Sequence, residues 1–215
     1  MKIQVLIDKN SWAEKYKKKI KEELCKFDNN IIIINHHKKL KDNYDLNIVF
    51  SYFKLIPKSF LSKSKFNIIP HESKLPKGKG MSPLSWQILE GKSNIYFSLI
   101  EASERVDDGH IYFQEPHRIP KNMIFEEIKK RQFQINLRLI KKFILKIRRK
   151  KKIKAIKQKG SSSYYKKRYP KDSKIDINKS ILSQIDLIRI CDNENYPAYF
   201  HYKNNKFIIR INKVN

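Results

Sequence analysis

Glycine is scarce: the chain has five in 215 residues. The first strand-to-helix turn, Asp8-Lys9-Asn10-Ser11, contains none, and no dinucleotide fingerprint or P-loop pattern occurs. Both signatures use glycine to bring backbone N–H groups against phosphate, so their absence counts against a nicotinamide or flavin enzyme. Cysteine is scarcer still. Cys25 and Cys191 cannot by themselves build a disulfide framework or a four-ligand zinc site. Long apolar runs are missing: no stretch approaches the roughly 20 residues of a membrane-spanning helix, and no apolar leader follows Lys2. The expectation is a cytoplasmic protein without a membrane partner. Neither a Gly-x-Ser-x-Gly elbow nor a Cys-His signature is present, which leaves covalent hydrolase chemistry unsupported.

Acidic residues are also few, 21 against 48 Lys and Arg, for a net charge of +27. Such an excess points to a polyanionic partner such as nucleic acid, anionic lipid or a phosphorylated substrate. It is uneven. Lys141 to Lys171 holds 15 basic residues and no acidic one. Within it, Arg148 to Lys154 carries six positive charges in seven residues, the feature of a nucleic-acid binder or of a solvated helix end.

What is present describes a folded α/β chain. Apolar residues make up 40% and aromatics 12%, enough for a core. Short apolar runs at Met1–Ile7, Ile31–Ile34 and Asp45–Phe53 read as strands. Between the first two, Trp12, Tyr16, Ile20, Leu24 and Phe27 recur at helical spacing behind Ser11-Trp12-Ala13-Glu14, which fits a capping box. Phe66 to Ile69 reads as a fourth strand, stopped by Pro70, with a polar loop over residues 71–80. Residues 83–90 read as a helix, 95–101 and 111–114 as strands around the Asp107-Asp108-Gly109 turn, and 122–149 as a long amphipathic helix. Gly160-Ser161-Ser162-Ser163 reads as a linker, 180–191 as a further helix, and 199–202 with 206–211 as a hairpin across Asn204-Asn205. The expected architecture is a three-layer α/β core over residues 1–159, an open, mostly parallel sheet in a shortened Rossmann-like arrangement. A small C-terminal α+β extension fills 160–215.

Ligands of open α/β sheets bind beyond the carboxyl ends of the strands. His71 stands there, and Asp107 and Asp108 stand at a later turn. A histidine and a carboxylate at one edge suit proton transfer, although a loop histidine and a plain Asp-Gly turn look the same locally. His36, His37, His110, His117 and His201 have no partners at metal-ligand spacing, so no metal is expected.

Three segments in order carry a resemblance. They are His71-Glu72-Ser73-Lys74-Leu75-Pro76-Lys77-Gly78-Lys79-Gly80, Ser82-Pro83-Leu84-Ser85-Trp86-Gln87-Ile88-Leu89-Glu90-Gly91 and Val106-Asp107-Asp108-Gly109-His110-Ile111-Tyr112. Together they resemble the formyltransferase family that uses 10-formyltetrahydrofolate. That family has a His-Pro-Ser-Leu-Leu-Pro-like loop followed by an Asp-x-Gly turn. The resemblance implies a formyl transfer in which an acceptor amine attacks the donor's formyl group. His71 would act as base or oxyanion partner, and Asp107 would orient it. The donor pocket would be lined by Tyr52, Phe53, Leu55 and Ile56 after the third strand, and by Ser73, Leu75 and Gly109. The family's catalytic Asn stands two residues before the His, where this chain has Ile69. Asn67 lies on the same face two steps further back, where it would need a bulge to substitute directly; the candidates in its place are Asn67 or a different donor such as a backbone N–H. Asp192-Asn193-Glu194-Asn195-Tyr196-Pro197-Ala198-Tyr199-Phe200 is most similar to the branch acting on nucleotide-linked amino sugars. The basic stretch keeps methionyl-tRNA open as acceptor, and a catalytically impaired, nucleic-acid-binding descendant as a further alternative. Tyr164, Tyr165 and Tyr169 suit either a homodimer interface or the acceptor site.

Overall fold

A computed structural model describes residues 1–150 and 153–214. Lys151 and Lys152, in the middle of the basic run, lie outside the described residues. In chain order the elements are β1 (Ile3–Leu6), α1 (Lys17–Cys25), β2 (Ile31–Ile34), β3 (Tyr44–Val49), α2 (Lys58–Leu61), β4 (Ser64–His71), β5 (Lys79–Gly80), α3 (Pro83–Leu89), β6 (Asn94–Glu101), β7 (Ile111–Arg118) and α4 (Phe125–Arg148). Then follow β8 (Tyr164–Tyr165), α5 (Ile185–Arg189), β9 (Ala198–Tyr202) and β10 (Asn205–Ile209).

Six strands form one sheet in the order β2-β1-β3-β4-β6-β7. β1 to β4 run parallel, while β6 and β7 pair antiparallel at the far edge. This is the mostly parallel α/β sheet expected. Alternation along the strands sends Val5, Ile48 and Ile68 into a large cluster with Ile20, Leu24, Leu84, Phe133 and Phe143 from α1, α3 and α4. It sends Leu6, Val49 and Ile69 into a smaller cluster with Leu40, Ile56, Phe60 and Leu61 on the other face. β1 is buried throughout, as a central parallel strand covered on both faces must be.

Three local expectations change. The capping box at Ser11 does not form: Ser11 Oγ is buried without a partner, and a 3-10 turn over Glu14–Tyr16 precedes α1. The entry is set by aromatic packing instead, with Tyr16 stacked on Phe133 at 4.4 Å and Trp12 edge-on to Tyr16. β4 runs through Pro70 to His71 rather than stopping before the proline. Ala102 N donates to Asn67 O, so odd-numbered residues of β4 bond toward β6 and even-numbered ones toward β3. The β3 ladder ends at Ile68, so Pro70 removes no sheet hydrogen bond. The helix expected over 180–191 is a 3-10 turn, Leu182–Gln184, followed by the single-turn α5.

α4 shows the expected amphipathic face, with Ile128, Ile135, Leu139 and Phe143 buried. Glu127 Oε2 accepts from Ile124 N at 3.0 Å at its start. The C-terminal part has its own small cluster of Ile175, Ile188, Cys191 and Ala198. The buried Arg189 side chain, bonded to Asp186 at 2.6 Å and to Met123 O at 3.2 Å, ties it to the core. Residues 161–165 lie bonded along the core, with Ser163 Oγ accepting from Gly78 N and Tyr165 O from Met81 N.

Candidate active site

The carboxyl end of β4 delivers His71 into the protein, where the residue is 5% exposed. Its Nε2 lies 2.8 Å from Gly78 O. A carbonyl only accepts, so Nε2 carries a proton and donates it. In the neutral ring Nδ1 is therefore bare, and it faces Asp107 Oδ2 at 3.6 Å. That separation is too long for a direct hydrogen bond and within ion-pair distance for a protonated ring. A proton arriving at Nδ1 converts two opposed lone pairs into an ion pair.

Asp107 reaches this position from the turn after β6. Its backbone lies in the left-handed region at φ 49°, which Asp tolerates better than most residues. Its Oδ2 accepts from Gly80 N at 2.8 Å. Gly80 has φ 95°, and a Cβ there would stand 2.4 Å from Tyr165 O. At Gly109 a Cβ would stand 1.7 Å from Glu101 O. Two of the five glycines thus serve close backbone approaches that hold the two loops of the pair. The neighbouring Asp108 points elsewhere, to Lys79 Nζ at 2.6 Å. That hydrogen bond holds the Asp108 carboxyl below the usual range. Lys79 is 2% exposed, so the partner is nearly removed from water.

The remaining expected residues separate. Asn67, Ile69 and His71 do share a face, but Asn67 is spent elsewhere. Its Nδ2 donates to Leu61 O at 2.8 Å and its Oδ1 accepts from Asn47 Nδ2 at 3.0 Å. The register of β4 against β3 puts Asn67 opposite Asn47, and that cross-strand pair claims the amide. The expectation that Asn67 stands in for the missing Asn is therefore corrected: the structure does not bring its amide to the dyad. Ile69 packs in the smaller apolar cluster and offers no donor.

Phe53 and Leu55 are exposed on the loop after β3, while Ile56 and Leu75 are buried. Lys58 N donates to Glu104 Oε1 at 3.2 Å, which brings this loop to the segment leading into Asp107. The Tyr52 hydroxyl accepts from His37 N at 3.2 Å and lies 2.8 Å from His37 Nδ1. Burial pushes the Tyr52 phenol up and the His37 imidazole down. Ser73 Oγ is buried with no partner, and its backbone carbonyl accepts from Ser98 Oγ at 2.7 Å. The exposed apolar side chains of Phe53 and Leu55 suit a flat heterocycle. Among the described residues, no three His, Cys, Asp or Glu side chains gather as a metal site would require.

Two site residues went unpredicted. Gln158 Nε2 donates to Asp107 O at 2.7 Å and to Gly109 O at 2.8 Å. Ser163 Oγ accepts from Gly78 N at 2.9 Å. Both come from far along the chain; no local pattern marks Gln158, whereas Ser163 opens the Ser163-Tyr164-Tyr165-Lys166-Lys167-Arg168 segment, which resembles the one following the core in the sugar and tRNA formylating branches.

Residues 34–144 match the family model described as formyl transferase. The bifunctional polymyxin resistance protein ArnA of Wigglesworthia glossinidia brevipalpis is 31% identical over 184 residues, covering 84% of this chain and 27% of that protein. The chain thus spans about a quarter of that curated relative's length. The fold is similar to that of methionyl-tRNA formyltransferase from Clostridium thermocellum, with TM-score 0.77, 24% identity and coverage of 96% of this chain and 90% of the other. It is also similar to a sugar N-formyltransferase from a Shewanella species, with TM-score 0.69, 16% identity and coverage of 98% and 97%.

Proposed function

The chain belongs to the formyl transferase family, and we propose that it transfers a formyl group from 10-formyltetrahydrofolate to the amino group of a nucleotide-linked amino sugar. The buried His71–Asp107 pair, 3.6 Å apart at the carboxyl edge of the sheet, is the observation that carries the reading. The bound donor supplies an electrophilic formyl carbon. Every other task falls to this chain. With Nε2 committed to Gly78 O, Nδ1 is the one ring atom able to take the proton that the acceptor amine must lose, and it would return that proton to the folate nitrogen as its bond to the formyl carbon breaks. Asp107 stabilises the imidazolium so formed and holds the ring's orientation. Because Ile69 offers no donor, the same Nδ1–H, once formed, would also serve developing negative charge. Phe53, Leu55, Ser73 and Leu75 would hold the donor's ring system.

The acceptor assignment rests on residues 192–200 and their resemblance to the sugar branch, and the ArnA and Shewanella similarities support it. Methionyl-tRNA is the second reading, favoured by the basic stretch and by the C. thermocellum similarity. Part of that charge is already answered within the fold: Lys141 pairs with Glu23, and Lys142 with Glu115.

The test is to incubate the protein with 10-formyltetrahydrofolate and a panel of nucleotide-linked amino sugars, with methionyl-tRNA in parallel. Formylated sugar is the expected product. Transfer to tRNA alone overturns the acceptor, and tetrahydrofolate binding without any transfer overturns the activity.

A further inference from the structure

The catalytic pair is held by a segment that lies outside the family match at 34–144. After α4 the chain returns along the core. Ile156 pairs with Ile111, with N···O distances of 2.8 and 2.9 Å. Gln158 then holds the carbonyls of Asp107 and Gly109. Ser163 Oγ takes Gly78 N–H, Ser163 O takes Lys79 N–H at 2.9 Å, and Tyr165 O takes Met81 N–H at 3.1 Å. One short stretch therefore bonds to both loops that carry the pair.

These bonds meet the reacting groups through two adjacent peptide units. The Gly78–Lys79 unit accepts from His71 Nε2 through its carbonyl and donates to Ser163 O through its N–H. Hydrogen bonding at its N–H polarises the unit and makes the carbonyl a stronger acceptor for the imidazole. The next unit, Lys79–Gly80, donates the N–H that Asp107 Oδ2 receives. Gln158 fixes Asp107 from its backbone side. The separation of Nδ1 and Oδ2 is thus set by Ser163 on one loop and Gln158 on the other.

We infer that residues 158–165 are a positioning strap for the dyad, with Gln158 and Ser163 as its positioning residues, an inference that rests on the reading of His71 and Asp107 as the reacting pair. Neither residue touches the ring or the carboxylate. Ser163 acts through the backbone of Gly78 and Lys79, next to the carbonyl that holds the ring, and Gln158 through the carbonyls of Asp107 and Gly109. Losing either lets one loop drift, and displacements of around 1 Å at a reacting centre typically cost up to about a hundredfold in rate.

The test uses the full chain in four variants: Ser163→Ala, Ser163→Thr, Gln158→Ala and Gln158→Glu. The last is isosteric but has no N–H to donate. One readout is the pH titration and tautomer of His71 by nitrogen-15 NMR of histidine-labelled protein, its signal identified by loss in His71→Ala. The other is kcat and KM for formyl transfer. Expected is a kcat about tenfold lower in Ser163→Ala, Gln158→Ala and Gln158→Glu, with KM for the acceptor within about twofold and an altered His71 titration. Ser163→Thr keeps the hydroxyl and restores both. If the alanine variants unfold, Gln158→Glu set against Ser163→Thr decides the matter in folded protein. A wild-type His71 titration and kcat in both alanine variants overturns the strap. If wild-type protein transfers formyl to no acceptor, the proposed function fails separately. The titration alone then supports the strap if it changes in the variants and overturns it if it does not.

Discussion

Two groups of buried polar side chains lie on one face of the sheet along β4, and they differ in how completely they are bonded. Toward the amino end, Gln4 donates to Ser64 Oγ and Lys41 O and accepts from Lys41 N, while Asn67 bonds to Asn47 and Leu61 O. Apart from Asn47 Oδ1, these groups find protein partners. Toward the carboxyl end, His71 Nδ1 meets Asp107 beyond hydrogen-bond distance and Ser73 Oγ has no partner. The first group is the satisfied polar interior that a fold requires. The second leaves one ring nitrogen of His71 without a direct bond, able to take part in proton transfer. What separates the two groups is whether the surrounding elements supply direct partners.

The largest effect should come from the second group. His71→Ala or Asp107→Ala is expected to lower the turnover of the folded protein at least about a hundredfold. Near-normal rates in both would erase the distinction. Asn67→Ala should behave in the opposite way. Leaving Asn47 Nδ2 and Leu61 O unmatched is expected to cost about 1–3 kcal/mol of stability in denaturant unfolding, with turnover of the folded protein reduced far less than by His71→Ala. A hundredfold loss without destabilisation would move Asn67 into the reacting group.

The smallest effect is a pH dependence. Asp108 has a folded-state pKa below its ordinary 3.8 because of the Lys79 hydrogen bond. Its contribution to stability is therefore present above 3.8 and lost as pH falls through the lower, folded value. The stability difference between wild type and Asp108→Asn should be seen at about pH 6 and shrink below about pH 4. The carboxylate is 40% exposed, so screening keeps the effect small. A difference that grows toward acid would contradict the assignment.

Much of this was legible in the sequence. Strands of four to eight apolar residues announce themselves by run length, and the order and spacing of the loop and turn around His71 and Asp107 point to the pair. Other features have no local signature. The face shared by Asn67 and His71 follows from alternation, but the claim of Asn47 on Asn67 arises only from strand register. Ser11 and Glu14 have the spacing of a capping box, yet stacking of Tyr16 on Phe133 decides that turn. Gly160 to Ser163 has a linker's composition, but Ser163 is bonded to a glycine 85 residues away. Gln158 is one of many polar residues in a basic stretch, and nothing near it in sequence indicates that its amide grips Asp107.

The hydrogen bond from His71 Nε2 to Gly78 O has a consequence for traffic. A histidine free at both nitrogens can receive a proton on one side and discharge it on the other. Here one side is sealed by a carbonyl. On the proposed reading, the proton taken from the acceptor leaves by the atom through which it entered, and the departing tetrahydrofolate nitrogen, which must gain a proton, is the group that receives it. The ring would work as a pocket with a single mouth, filled by the acceptor amine and emptied into the leaving nitrogen.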